Sequence, residues 1–131
     1  MVASGFTGDR ALLGNAFDWA RHGDVARLSE LFALGASAEL TNERGDTLLI
    51  LAAYHCQPAV VRLLLTRQPE LDRANDNGQT ALGAAVFRRS VEIVDLLLAA
   101  GADPDSGARS AREVARFFEL TDMQQRLAGR T

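Results

Sequence analysis

The feature that most constrains the fold of this chain is a segment that is written nearly twice. Residues 45–77 read GDTLLILAAYHCQPAVVRLLLTRQPELDRANDN, and residues 78–102 read GQTALGAAVFRRSVEIVDLLLAAGA. Equivalent residues share one offset of 33 positions, as in Gly45 and Gly78, Thr47 and Thr80, Ala52 and Ala85, and Leu63 and Leu96. Self-similarity at one fixed period indicates stacked copies of one supersecondary unit.

Each copy contains two short apolar runs, and each run predicts a helix. The first copy predicts helices at about 47–55 and 58–66, and the second predicts helices at about 80–88 and 91–99. Thr47, Thr80 and Ser90 stand where a helix cap is needed, and Pro58 fits the first turn of a helix, where its missing amide costs nothing.

The segment before the first copy predicts one further helix pair. Residues 1–8 are small and contain Gly, so we expect a flexible tail. Asp9 caps the apolar run ALLGNAFDWARHG, which ends at Gly23. Asp24 caps the next run, VARLSELFALG, which ends at Gly35.

The segment after the second copy predicts a last, shortened pair. Ser110 follows Thr80 by 30 positions instead of 33, and with Glu113 it forms a capping box. A final helix begins at Thr121 and stops at Gly129. We expect its apolar residues to cover the open end of the core, namely Leu120, Met123 and Leu127.

These residues resemble the ankyrin repeat, a β-turn finger followed by two antiparallel helices in about 33 residues. Gly-x-Thr, Ala-Ala, the Leu triplet and Gly-Ala-Asp keep one register, and the resemblance covers about residues 10–128. It implies an all-α solenoid of about four helix-turn-helix repeats, with the first and last repeats acting as caps. The predicted single domain, residues 9–131, divides into repeats at about 9–40, 41–73, 74–105 and 106–129.

The sequence also departs from the ankyrin pattern. Thr-Pro-Leu-His becomes Thr-Leu-Leu-Ile at 47–50 and Thr-Ala-Leu-Gly at 80–83, so the His that links adjacent repeats in the family is absent. The Gly between the helices of a repeat is kept as Gly23 but is replaced by Cys56 and Arg89. If these positions require positive φ, both replacements carry backbone strain.

Composition narrows the class of protein. Hydrophobic residues at 47% and charged residues at 24% are ordinary for a soluble domain. A net charge of −3 does not suggest a nucleic-acid surface, and no apolar run approaches the length of a membrane helix. The start of the chain lacks the pattern of a secretory signal, so we expect a cytoplasmic protein and a monomer.

A catalytic or metal site has little support. His55 and Cys56 are adjacent in sequence, but neighbours on a helix point about 100° apart, so adjacency does not make a thiolate–imidazole pair. His22 and His55 lie one period apart, yet structural zinc takes four ligands. We expect no catalytic residues, no metal and no cofactor.

A binding surface is better supported. In the ankyrin family the fingers and inner helices form a concave face that binds other proteins. Carried over by register, the finger positions are Glu43, Arg44, Asp46, Asp76, Asn77 and Gln79. The positions near the inner-helix ends form two columns, Arg21, Tyr54, Phe87 and Phe117, and then His22, His55, Arg88 and Phe118.

Aromatic residues and Arg are enriched at binding hot spots, which makes these columns candidate partner contacts. The alternatives are that Phe87 packs on its neighbour, that Phe117 and Phe118 plug the shortened repeat, and that the charged fingertips are only solvated. Trp19 stands where the family has a small, inward-facing Ala, so we expect it to pack at the end of the stack. We expect a non-enzymatic protein-binding module of bacterial type that binds and regulates one partner. The rivals are a self-associating structural unit and an enzyme that uses Cys56 or the histidines.

Overall fold

A computed structural model describes residues 10–128 and contains eight α-helices in that part of the chain. They are α1 (Arg10–His22), α2 (Val25–Ala33), α3 (Leu48–Tyr54), α4 (Pro58–Leu65), α5 (Ala81–Phe87), α6 (Val91–Ala100), α7 (Ala111–Phe117) and α8 (Thr121–Leu127). The predicted tail at 1–8, the cap at Asp9 and the stop at Gly129 lie outside the described residues.

The helices pack as successive pairs along one direction. The first helix of each pair forms a continuous inner row, in which α1 contacts α3, α3 contacts α5, and α5 contacts α7. The second helices form an outer row, in which α2 contacts α4 and α4 contacts α6. The residues from 10 to 128 contain isolated β-bridges but no strand, which confirms the predicted all-α repeat solenoid.

An apolar seam runs between the two rows. Leu64 and Leu97, the middle residues of the two Leu triplets, are fully buried, whereas Leu63 and Leu96 are only half-buried. Close approach of the inner helices depends on small residues without exposed surface, namely Ala52, Ala53, Ala84 and Ala85. Full burial of one Leu stabilises a fold by about 1.5–3 kcal/mol, so this seam holds the pairs together.

The ends of the seam are closed as the sequence predicts. Met123 and Leu127 are buried at the end that α8 covers, and Leu120 packs against them half-buried. At the other end Trp19 is half-buried against the core, and the Arg27 guanidinium lies 5.9 Å from its ring.

A side-chain hydrogen bond caps the N-terminus of the inner helices α3, α5 and α7. The hydroxyl groups of Thr47, Thr80 and Ser110 accept hydrogen bonds from the backbone three residues ahead, with donor–acceptor distances of 3.0, 3.1 and 3.2 Å. The prediction for Ser90 is wrong in one respect. Ser90 occupies the N-cap position of α6, but its side chain makes no capping hydrogen bond.

The turn inside each pair has a residue with positive φ, and at Cys56 and Arg89 this gives the backbone strain predicted from the departures in sequence. Gly23 has a φ of 81°, and Cys56 and Arg89, one and two periods later, have φ values of 57° and 59°. Glu119 occupies the equivalent turn of the shortened last pair, with a φ of 55°. A left-handed conformation costs a residue with a side chain about 1–2 kcal/mol, so the packing of the pairs must impose it.

Candidate functional site

The fingers are organised by two asparagines. The side-chain oxygen of Asn42 accepts hydrogen bonds from the amides of Arg44 and Asp46 at 2.9 and 3.0 Å. One period later, the side-chain oxygen of Asn75 accepts from the amides of Asn77 and Gln79 at the same two distances. Each asparagine therefore closes its own finger, a role that the sequence shows only as two Asn residues 33 positions apart.

Asp46 corrects the predicted set of partner contacts. Its side chain is buried, and its carboxylate accepts a hydrogen bond of 2.8 Å from the Asn75 amide group of the next finger. The Asn42 amide group donates to the other carboxylate oxygen at 3.4 Å. Asp46 is thus a link between fingers and is not an exposed contact. Glu43, Arg44, Asp76 and Asn77 are exposed, and Gln79 is half-buried.

At the C-terminal end of α1, the predicted contact residues bond to a neighbouring residue of the same helix. Arg21 donates to the carboxylate of Asp18 at 2.6 Å, and the Nδ1 atom of His22 lies 2.9 Å from the backbone oxygen of Asp18. The backbone oxygen of Arg21 also accepts from the Gln57 side chain at 2.9 Å, which ties the first pair to the second. The predicted columns therefore begin with residues that already have partners within the domain.

The aromatic residues of the columns contact one another. The ring of Tyr54 stacks on that of Phe87, with centroids 6.1 Å apart and an interplanar angle of 15°. Phe87 then meets Phe118 edge to face at 5.4 Å, and Phe118 meets Phe117 in the same way at 4.8 Å. We call these four residues the aromatic ladder. The register predicted Phe117 as the neighbour of Phe87, but the ring in contact is Phe118.

The ladder becomes more exposed towards α7. Tyr54 is half-buried, whereas the exposed fractions of Phe87, Phe118 and Phe117 are 40%, 47% and 79%. The alternative that Phe117 and Phe118 plug the shortened repeat is therefore wrong, because α8 supplies the residues that close the core. Large exposed aromatic side chains grouped at one place make the ladder a candidate interaction surface.

The ladder forms one side of an open groove of about 570 Å³. Besides the ladder, its lining residues are Gln79, Arg109, Glu113 and Val114. Arg109, Glu113 and Val114 were not among the predicted contacts. The 30-residue offset of the last repeat was the available signal, because it sets Arg109 in the position of Gln79, and the two residues form a β-bridge.

Basic side chains lie near the Tyr54 end of the ladder. The Arg88 guanidinium lies 5.3 Å from the centre of the Tyr54 ring. Partial burial lowers the pKa of His55, and the positive charges of Arg21, Arg88 and His22 lower it further, whereas Asp46 opposes them. Burial is the larger cause of this lowered pKa, and the basic side chains near His55 add to it.

The arrangement suits binding. Cys56 is an exposed free thiol, and residues 10–128 contain no group of three or more His, Cys, Asp or Glu side chains placed to hold a metal ion. No helix in the described part of the chain is long and apolar enough to span a bilayer. The prominent surface feature is the groove beside the aromatic ladder.

Pairs of helices stacked in two rows, with turn-shaped fingers along one edge, define a repeat solenoid. The family model for ankyrin repeats, in three copies, matches residues 17–108. The chain therefore belongs to the ankyrin repeat family. Ankyrin repeats are generally protein–protein interaction modules and are generally not enzymes.

Several curated proteins are similar to this chain over part of their length. A putative ankyrin repeat protein of Pseudomonas aeruginosa is 47% identical over 47 residues, which are 36% of this chain and 28% of that protein. A putative ankyrin repeat-containing protein of Treponema pallidum is 34% identical over 102 residues, which are 75% of this chain and 34% of that protein.

The similarity extends to a protein with an enzyme name. The human NAD-capped RNA hydrolase is 32% identical over 105 residues, which are 78% of this chain but 23% of the hydrolase. The chain thus spans about a third or less of the length of these relatives. The similarity concerns their ankyrin repeats.

Proposed function

We propose that this chain is a non-enzymatic recognition module that binds one partner protein through its fingers and inner-helix ends and thereby regulates that partner. It acts as a monomer in the cytoplasm. The proposed contacts are the groove residues Arg109, Glu113 and Val114 together with Arg21, His22, Glu43, Arg44, Tyr54, His55, Asp76, Asn77, Gln79, Phe87, Arg88, Phe117 and Phe118.

The observation that carries this proposal is the aromatic ladder. Four rings contact one another at one face of the domain, and three of them keep 40% or more of their surface exposed. Aromatic side chains contribute large apolar area at low conformational cost, which is why they dominate binding hot spots. Burial by a partner gives these rings the apolar contacts that they lack in the isolated domain.

The test is the double variant Tyr54→Ala/Phe87→Ala, compared with Leu34→Ala. Leu34 is 58% exposed at the end of α2 and does not line the groove, so it controls for the loss of exposed apolar surface. We expect the double variant to bind the partner at least about a hundredfold more weakly, because each hot-spot ring contributes about 2 kcal/mol or more. The control is expected to bind like the wild type.

The measurement combines affinity capture from the native cell, titration of the captured partner and thermal unfolding. We expect the double variant to melt at a lower temperature but to stay folded, because Tyr54 is only half-buried against the core and Phe87 is 40% exposed. Normal partner binding by the double variant contradicts the proposal. If that variant unfolds, Phe117→Ser decides the question, since Phe117 is 79% exposed and contributes little to the core.

A further inference from the structure

The groove has room for more than one side chain. Its volume of about 570 Å³ lies within the range of about 300–1,000 Å³ that is typical of ligand pockets. Phe87, Phe117, Phe118 and Val114 give it an apolar lining, and none of the three phenylalanines is buried. A large aliphatic or aromatic side chain of a partner fits against this lining.

Among the described residues, two arginines and one carboxylate lie in or beside this lining, so positive charge is in excess there. Five arginines of the domain form ion pairs with carboxylates within residues 10–128, namely Arg21, Arg27, Arg62, Arg112 and Arg126. Arg88, which lies over Tyr54, and Arg109, which lines the groove, make no such ion pair with any described residue. Glu113 is the single carboxylate among the described lining residues.

The first two fingers carry more negative than positive charge. Glu43 and Asp76 are exposed on the fingers, and Asp46 carries a further negative charge beneath them. A carboxylate of a partner is repelled at the first two fingers, where the acids outnumber the exposed Arg44. It is attracted beside Arg88 at the helix ends and beside Arg109 in the groove. The bidentate guanidinium–carboxylate pair is among the strongest charge-assisted hydrogen bonds, and it requires a defined position of the acid.

From these observations we propose that the groove binds an acidic peptide segment of the partner, in which an Asp or Glu stands beside a large apolar residue. The apolar side chain lies on the aromatic ladder, and the carboxylate pairs with Arg88. Arg109 holds a second acidic residue further along the segment. This inference rests on the proposed function, since it names the chemistry that the same surface recognises.

The experiment is a selection of random dodecapeptides on immobilised wild-type protein and on two charge-reversed variants, Arg88→Glu and Arg73→Glu. Arg73 is an exposed arginine between α4 and α5 that does not line the groove, so it controls for the change in net charge. We expect the wild type and Arg73→Glu to enrich sequences with an acid next to a large apolar residue. Arg88→Glu is expected to lose this enrichment and to favour Lys or Arg instead.

Titration of one enriched peptide gives the magnitude. We expect Arg88→Glu to weaken its binding about tenfold or more, and Arg73→Glu to change it less than about twofold. Arg88→Gln, which removes the charge but keeps the length, gives an intermediate loss. If Arg88→Glu is poorly folded, the comparison of Arg88→Gln with Arg73→Glu decides the result.

The outcomes separate this inference from the proposed function. Enriched peptides that are apolar without acids, or that bind Arg88→Glu as well as the wild type, overturn the inference while the recognition surface stands. Peptides that bind Tyr54→Ala/Phe87→Ala normally count against both proposals. A selection without enrichment, or sedimentation of the wild type as a dimer that Phe117→Ser dissociates, also overturns the inference, because no acidic peptide then occupies the groove.

Discussion

Single residues in the turns between paired helices carry backbone strain. Cys56 has a φ of 57°, yet its amide still donates to the Ala53 oxygen at 3.2 Å. The next amide, that of Gln57, donates to the Ala52 oxygen at 2.8 Å, so the turn closes the end of α3 in the usual way. Glycine adopts this conformation freely, whereas a residue with a side chain pays about 1–2 kcal/mol.

Replacing the strained residue with glycine is therefore expected to stabilise the domain. The change Cys56→Gly removes about 1–2 kcal/mol of strain and adds about 0.5–1 kcal/mol of unfolded-state entropy, which leaves a gain of up to about 1.5 kcal/mol. Urea unfolding measures it as a higher midpoint with an unchanged slope. An unchanged or lower midpoint contradicts the argument.

The reverse change supplies the matched control. In Gly23→Ala the new methyl carbon would lie 2.5 Å from the side-chain oxygen of Gln57, at a φ of 81°. The Gln57 side chain then has to move, and its hydrogen bond to the Arg21 oxygen is lost. We expect this variant to lose more stability than Cys56→Gly gains.

The strain at Cys56 could be predicted from the sequence, and the strain at Glu119 was missed. The 33-residue period sets Cys56 and Arg89 opposite Gly23, so the departure from glycine is visible at once. Glu119 follows Arg89 by 30 positions, because the last repeat is shortened. The 33-residue period therefore fails in the last repeat, both for the turn residue Glu119 and for the groove residue Arg109.

At the scale of the element, the fingers are joined to one another along the stack. The amide of Asp76 donates to the Arg44 oxygen at 3.0 Å, and the amide of Arg109 donates to the Gly78 oxygen at the same distance. The Asn75 side chain adds its bond to Asp46 across the first of these junctions. The fingers therefore hold a fixed spacing without forming a strand.

Asn75 is expected to be the most sensitive finger residue. The change Asn75→Ala removes one inter-finger hydrogen bond and two bonds to backbone amides, and it leaves the buried carboxylate of Asp46 without that partner. At about 0.5–1.5 kcal/mol for each of the three bonds, we expect a loss of about 1.5–4.5 kcal/mol in the free energy of unfolding.

Asn77→Ala is the control for this change, because Asn77 is exposed and takes part in the same finger through its backbone amide. Its free energy of unfolding is expected to stay within about 0.5 kcal/mol of the wild type. If Asn75→Ala loses no more free energy of unfolding than Asn77→Ala does, the Asn75 side chain does not hold the finger as the structure indicates. Chemical denaturation of both proteins under the same conditions makes the comparison.

The burial of Asp46 could not be predicted from the finger in which it lies. In the sequence it is an acid in a polar turn, and such residues are usually solvated. Its burial depends on Asn75, which lies 29 positions away in the next finger. Local composition carries no information on that contact, whereas the 33-residue register alone predicts that Tyr54 and Phe87 are neighbours, as their stacked rings show.

At the scale of the whole molecule, stability depends on contacts between neighbouring pairs. The inner row is continuous from α1 to α7, but the main contacts of the last helix, α8, are with α7. Its link to α6 includes the ion pair of Arg126 with Asp95, which is partly exposed. A solenoid of this kind is held by nearest-neighbour interfaces, so the position of a pair decides how far its loss spreads.

Substitutions of two fully buried leucines are therefore expected to have different effects on unfolding. Leu64→Ala opens a cavity in a pair that has neighbours on both sides, and Leu127→Ala opens one in the terminal pair; each change costs about 2–5 kcal/mol. Native-state hydrogen exchange is expected to show faster exchange throughout residues 10–128 for Leu64→Ala. For Leu127→Ala we expect faster exchange in α7 and α8 alone, since these helices open while the other pairs keep their interfaces. Equal loss of protection everywhere in both variants means that the domain unfolds as one cooperative unit, and the nearest-neighbour account then fails.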